Sequence, residues 1–388
     1  MRLRTMFVTA LSAVALASVP ATDASAETSK QPCRDAPATP VTTGAVFNNP
    51  AAGDPTAVVR QICGLVRQAP SGSRIRIAHF VISGAAGLDF ANELIAAKRR
   101  GVDVQVVLDG WQVRNTAVEA LRREFGTDRS RASWLHVCTG LSPEGNTAAC
   151  IGTKGNHNKF YLFSQTGGRS DVVVQSSANF TDVNSATYWN NAMTLVGNRR
   201  LYAAYNAYFE DLAAENRTDD YYRTVTTGMR GGSVTAYFFP RAEGDPIVDH
   251  LAKAGCRTGT TIRIGMSEWD TYRIAIAERI VALAGQGCQV RIVHGLMDDA
   301  VRDLLSSHPN ISMHELNGAT LPGRIHSKYL LVEGDFDGDT DAHWVLTGSP
   351  NFNRTSLRRN DEAMVKTNIK PVYEQYRASF ETMYVAAN

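Results

Sequence analysis

Beyond its first 26 residues the chain has no run of 18 uninterrupted apolar residues, so nothing there reads as a membrane-spanning helix. Net charge is almost absent, with 40 Lys and Arg against 38 Asp and Glu in 388 residues. A protein that grips nucleic acid regardless of sequence needs a clearly basic surface, and this balance argues against one. Cysteines at the close spacing of a structural zinc site are missing, as is the G-x-S-x-G turn of a serine hydrolase. Metal-dependent and serine-dependent hydrolysis therefore find no support in the sequence.

What is present begins with an expected export signal over residues 1–26. Arg2 and Arg4 form its basic start, Phe7 to Val19 its apolar run, and Ala24-Ser25-Ala26 its cleavage site. Removing two Arg and one Asp leaves 38 basic and 37 acidic residues, a formal charge of +1. The mature protein is expected to be secreted, where its six cysteines would form disulfides. Spacing favours Cys33–Cys63, Cys138–Cys150 and Cys256–Cys288. For the last pair, Cys256 precedes an expected strand at 261–264 and Cys288 opens another at 289–293, so neighbouring parallel strands would bring the two sulfurs together. Residues 27–45, rich in Pro, Thr and Ala, read as an irregular arm.

Two stretches carry the chemistry. Ile325-His326-Ser327-Lys328 opens the apolar run Tyr329 to Val332, and Thr347-Gly348-Ser349-Pro350-Asn351-Phe352 and then Asn360-Asp361-Glu362 follow it. Asn156-His157-Asn158-Lys159 opens Phe160 to Phe163, and Ser176-Ser177-Ala178-Asn179-Phe180 and then Trp189-Asn190-Asn191 follow that. With only 9 His and 8 Lys in the chain, two H-x-K triplets, each trailed by S-x-N-F, mark a duplicated site. Residues two apart share one face of a strand. Histidine can attack or protonate, lysine supplies positive charge, and serine and asparagine supply neutral donors. That inventory suits a tetrahedral phosphate better than a carbonyl or a metal.

These residues resemble the phospholipase D superfamily, whose signature is H-x-K-x4-D with a downstream G-[GS]-x-N, carried twice in one chain or once per subunit of a dimer. The signature Asp falls on Ser164 and Glu333 here, and the first Gly of the first copy on Ser176. The resemblance implies an α/β fold of two similar halves packed about a pseudo-two-fold axis, with both motifs in one cleft and no metal or cofactor. It implies catalytic roles for His157, Lys159, Asn179, His326, Lys328 and Asn351, and substrate contacts for Ser176, Ser177, Gly348 and Ser349. Glu362, 11 residues after Asn351, stands where the family places a carboxylate behind its own histidine, and Asn190 holds the matching place after Asn179. On that reading Glu362 backs His326, the acid, and Asn190 backs His157, the nucleophile.

More than the motifs repeats. Pro50…Gly53-Asp54-Pro55 returns as Pro240…Gly244-Asp245-Pro246, each expected to cap a helix with Asp and start it with Pro. Arg74 to Ile77 returns as Thr261 to Ile264, an alternating strand, and the helix at 88–100 returns at 273–284. Strands alternating with helices predict a largely parallel sheet in each half. The offset between matched positions falls from 190 (Pro50 to Pro240) to 169 (His157 to His326), so the first half carries extra residues, placed in 111–150. The expected division is a first half at 46–212, a linker at 213–232 and a second half at 233–388. The loop Asp335 to Asp341 reads as a solvated hairpin turn, with calcium as the alternative. His79, His136, His250, His308, His314 and His343 read as structural. His294 and Asp109 follow strands where ligand loops gather.

Export, the lack of a membrane span and near-zero charge favour a phosphodiesterase acting on a phospholipid aggregate or membrane surface, expected as a monomer. The alternative is a secreted nuclease, and non-catalytic phosphate or lipid binding is disfavoured because both motif pairs are intact.

Overall fold

The computed structural model describes residues 31–257 and 259–388, so the expected signal at 1–26 lies outside the described residues. The first half runs β1 (Gly44–Phe47), α1 (Ala57–Arg67), β2 (Arg74–His79), α2 (Gly84–Arg99), β3 (Asp103–Leu108), α3 (Thr116–Phe125) and β4 (Trp134–Val137). It continues through β5 (Gly140–Leu141), β6 (Ala148–Ala149), β7 (Lys159–Thr166), β8 (Arg169–Ser176), β9 (Tyr188–Trp189), β10 (Asn191–Leu195) and α4 (Arg199–Ala214). The second half runs β11 (Arg223–Met229), β12 (Gly232–Phe239), α5 (Pro246–Leu251), β13 (Thr261–Trp269), α6 (Ile274–Gly285), β14 (Gln289–Met297), α7 (Asp299–Ser306) and β15 (Ile311–Glu315). It ends with β16 (Arg324–Ile325), β17 (Lys328–Phe336), β18 (Asp339–Gly348), α8 (Arg354–Arg358), β19 (Glu362–Thr367) and α9 (Lys370–Ala386).

Each half forms one sheet, in the orders β1-β10-β8-β7-β2-β3-β4 and β11-β12-β19-β18-β17-β13-β14-β15. Alternation along the two central strands sets the layers. Phe160, Leu162, Tyr329 and Leu331 point into a core shared by both sheets and by α4 and α9. Tyr161 and Phe163 face an outer core under α1, α2 and α3, and Leu330 and Val332 face the matching core under α5 and α6. Tyr205 and Tyr208 of α4 and Tyr373 and Tyr376 of α9 fill the middle layer, all fully buried or nearly so.

The expected parallel sheets need correction. Within these two sheets only β2-β3-β4 and β13-β14-β15 are parallel, and β9 pairs with β16 in a separate short parallel ladder. The motif strands pair antiparallel with their successors because two-residue turns join them, Gly167-Gly168 and Asp337-Gly338, each with both residues at positive φ. The second of these turns is the acidic loop, a hairpin in which Asp337 pairs with Lys253. The linker also needs correction, since 223–229 forms β11, the edge strand of the second sheet. Asp245 caps α5 and Pro246 starts it, whereas Asp54 caps nothing: α1 begins at Ala57, Asn48 accepts from the Val58 amide, and Asp54 pairs with Arg60.

The disulfides Cys33–Cys63, Cys138–Cys150 and Cys256–Cys288 are all formed. Thr261 and Gln289 stand in parallel register just after Cys256 and Cys288, as the strand argument required. Cys138 and Cys150 close the extra segment of the first half, which contains the β5–β6 hairpin.

Candidate active site

Both histidines stand two residues before a strand proper, in extended chain that crosses from one half to the other. The His157 amide donates to the Asp361 carbonyl (2.9 Å), and the His326 amide donates to the Trp189 carbonyl (2.9 Å). Those contacts are reciprocal, each half presenting its histidine against the strand-entry residues of the other. The lysines follow at the starts of β7 and β17, buried, and each ammonium reaches back to a histidine carbonyl: Lys159 to His157 (2.6 Å) and Lys328 to His326 (2.5 Å).

The reciprocity overturns one expectation. Glu362 backs His157, with Oε1 and Oε2 at 2.9 and 3.0 Å from Nδ1, and Asn190 backs His326, with Oδ1 at 2.9 Å from Nδ1. The reason is the crossing itself. Because Asn156 and His157 bridge to Asp361, the next residue along, Glu362, faces the histidine of the opposite half. The carboxylate is fully buried, and the Asn360 side-chain amide also donates to it (3.0 Å).

Burial lowers the His157 pKa from its ordinary value, opposed by Glu362. Burial drives His326 well below the ordinary range, and Lys328, Lys159 and His157 add to the effect. For Lys328, burial pushes the ammonium down to about 7, and burial also holds Lys159 well below its usual range. Burial thus weakens proton binding throughout the cleft, and a negative charge brought beside these groups would oppose that shift.

The residues expected on phosphate divide into two sets. Asn179 and Asn351 are buried at matching places, and each backbone amide is held by a local side chain, Asn184 and Ser356. Among the described residues their Oδ1 atoms have no hydrogen-bond partner. The serines and Gly348 need correction. The Ser177 hydroxyl donates to Asn190 (3.0 Å), Ser176 donates to the Asn191 carbonyl (2.9 Å), and Ser349 is bonded to the backbone of Ala363. All three are fully buried; Ser177 holds the amide behind His326, and Ser176 and Ser349 tie down the residues next to Asn190 and Glu362. A Cβ on Gly348 would meet the Ala363 carbonyl at 2.4 Å, so close strand approach explains that glycine. Ser164 and Glu333, in place of the signature Asp, sit near the far ends of their strands, bonded to the Arg74 amide and to Arg263 and Tyr373.

Apart from Asp109, several site residues were not singled out from the sequence. Asp361 accepts from the amides of Cys150, Ile151 and Gly152 (2.6–3.2 Å), clamping the loop that leads to His157. Asp109 grips the same loop through the Asn156 amide (2.8 Å) and also accepts from the Trp111 amide (2.6 Å); burial pushes its pKa up to about 7. Phe80 packs edge-on against His157 and stacks on Trp111. Tyr188 packs on His326. Glu268 and Arg324 join Trp111, Tyr188, Asn179 and His326 around a cavity of about 450 Å³. Val81 and Glu268 occupy like places one residue before Ile82 and Trp269, whose bridges to Phe180 and Phe352 match, so the two halves differ there. Only the fold reveals that match. His79 and His294 are buried in their own halves, His79 against Tyr161 and Phe180, and His294 bonded to the carbonyl of Gly295.

A two-fold α/β fold with paired H-x-K strands meeting at one cleft defines the phospholipase D-like class. The family described as "Cardiolipin synthase, PLD-like domain" matches residues 62–213 and 236–384, and the chain belongs to it. Among solved structures, the phosphatidylserine synthase of Haemophilus influenzae Rd KW20 is similar with a TM-score of 0.62 at 13% identity, over 93% of this chain and 91% of that one. A polyphosphate kinase from Porphyromonas gingivalis is similar with a TM-score of 0.54 at 12% identity over 89% of this chain, which spans only 50% of the kinase. Nuc of Salmonella typhimurium, a phospholipase D family member, is similar over 40% of this chain and 97% of its own at 19% identity, with a TM-score of 0.32. No curated protein matches the chain in sequence. No described helix is long and apolar enough to cross a membrane.

Proposed function

We propose that the protein is an exported phosphodiesterase that cleaves the head-group diester of phospholipids, by hydrolysis or by transfer to an alcohol, through a phosphohistidine on His157. The observation that carries the mechanism is the unequal backing of the two imidazoles. Glu362 holds the His157 proton on Nδ1, which leaves the Nε2 lone pair free to attack phosphorus and stabilises the positive ring of the adduct. His326, backed by a neutral amide, protonates the departing alcohol once the substrate's negative charge has raised its affinity for a proton, then takes a proton from the incoming water. Lys159, Lys328, Asn179 and Asn351 hold the non-bridging oxygens as charge develops.

Phospholipid is favoured over nucleic acid by the cavity wall. Glu268 and Asp182 share the wall with one cation, Arg324, 3.9 Å from Glu268, so the lining stays acidic on balance; with Trp111 and Tyr188 it suits a cationic or zwitterionic head group over a polyanion track. Three disulfides support an oxidising compartment. The test offers phosphatidylcholine vesicles with butanol, or plasmid DNA, to the protein in chelator. Phosphatidylbutanol and phosphatidate are expected and DNA should remain intact; DNA cleavage with intact lipid would reverse the assignment.

A further inference from the structure

Among the described residues, seven large apolar side chains stand clearly exposed, and all but Val385 belong to one end of the molecule. Trp111 and Val183 line the mouth of the cavity. Leu321 lies three residues before Arg324 of the same wall, and Leu296 stands in parallel register with Glu268. Tyr272 follows β13, whose last residue bridges to Phe352 beside Asn351. Leu141 is on the hairpin whose partner strand begins at Ala148, beside Asp109. Each is on or beside a connection at the active-site end of a sheet. The opposite end, with the turns at 167–168 and 337–338, shows no comparable side chain among the described residues.

Isolated exposed apolar residues need no explanation, but six at the end that carries the cavity, two of them lining it, do. We propose that this end is a docking face that inserts into the surface of a phospholipid aggregate; the inference rests on the phospholipid reading above. A diester at a bilayer surface can enter the cavity only if the mouth meets the interface, because the acyl chains stay in the lipid. Apolar tips set around that mouth would sink into the acyl boundary, and Trp111 combines an apolar ring with a polar N–H that suits this depth. A protein partner seated here would cover the opening, and a nucleic acid would call for unpaired cations where these tips stand.

The test uses the double variant Leu296→Ser/Leu321→Ser, since both side chains are about half exposed or more and neither lines the cavity. Three readouts are needed: flotation with phosphatidylcholine vesicles, turnover of those vesicles, and turnover of a short-chain phosphatidylcholine kept below its aggregation threshold. The expected result is a loss of about ten-fold or more in vesicle binding and vesicle turnover, with monomer turnover unchanged. Wild-type protein that fails to float, or a variant that binds and turns over vesicles normally, would overturn the proposal. Equal losses on vesicles and monomers would assign these residues to structure instead. A concentration-dependent dimer that the variant abolishes would make the face a self-contact. Should the wild type float but cleave no lipid while the variant does not float, docking would stand and the substrate reading would fall.

Discussion

Nδ1 of His157 lies 2.9 Å from Oε1 of Glu362, across 205 residues of sequence and across the boundary between the two halves. Neither half therefore holds a complete catalytic set. The first supplies the proposed nucleophile and the second its carboxylate, while the first returns Asn190 to His326.

Glu362→Gln keeps an acceptor for the Nδ1 proton and removes only the charge. We expect kcat to fall by about 10²-fold or more, with little change in stability. Asn190→Asp places a carboxylate behind His326 and should raise the pH at which its acid form is lost, read from the pH profile of kcat. An unaffected Glu362→Gln enzyme would remove the carboxylate from the mechanism.

Asp361 should matter without touching substrate. Asp361→Ala leaves three buried amides of residues 150–152 unpaired, at roughly 1–3 kcal/mol for a buried donor left unmade. Denaturant unfolding should show a loss of that order, and kcat should fall as His157 loses its support. Full activity with full stability would contradict the clamp.

The pH dependence of kcat/KM follows from Lys328, whose ammonium titrates at about 7 in the free enzyme. Below that pH it is charged and attracts the anionic diester; above it the charge is lost, so kcat/KM should decline as pH rises through neutrality. The acid limb, where His157 becomes protonated and cannot attack, should lie below the ordinary histidine range because burial lowers its pKa. Lys328→Arg stays charged and should carry the alkaline limb upward even if the maximum rate drops. An alkaline limb that stays in place would assign it to another group.

Reading the chain in sequence reached what is local or duplicated. The H-x-K pairs, Asp245 at its helix and the three cysteine pairings all follow from short spacings or from one half echoing the other. It misassigned the partners of His157 and His326 because symmetry in sequence does not say which copy a residue faces. Ser177 and Ser349 looked like phosphate ligands, but both are buried, Ser177 bonded to Asn190 and Ser349 to the backbone of Ala363 beside Glu362. Asp54 looked like a helix cap because Asp-Pro is one in the other half, yet Asn48 supplies the contact to α1. Glu268 carried no sequence mark at all, since only its place one residue before the Trp269–Phe352 bridge makes it a cavity residue.

The Cys138–Cys150 bridge ends at the residue whose amide Asp361 holds. Replacing both cysteines by serine should cost about 2–5 kcal/mol of stability and lower kcat in parallel with Asp361→Ala. Loss of the Cys33–Cys63 bridge should cost stability alone, because that pair lies in the outer core of the first half. Equal effects on kcat from both would deny the loop its link to the site.

The most direct test of the account is capture of the intermediate in His326→Ala. A diester with a nitrophenyl leaving group needs no acid to depart, whereas release of the adduct needs His326 as base. The account predicts a rapid burst of one nitrophenol per protein, almost no turnover thereafter, and a phosphoryl adduct mapped by mass spectrometry to His157. His157→Ala should give no burst with the same substrate. Absence of a burst in His326→Ala, or an adduct on any residue other than His157, would contradict it.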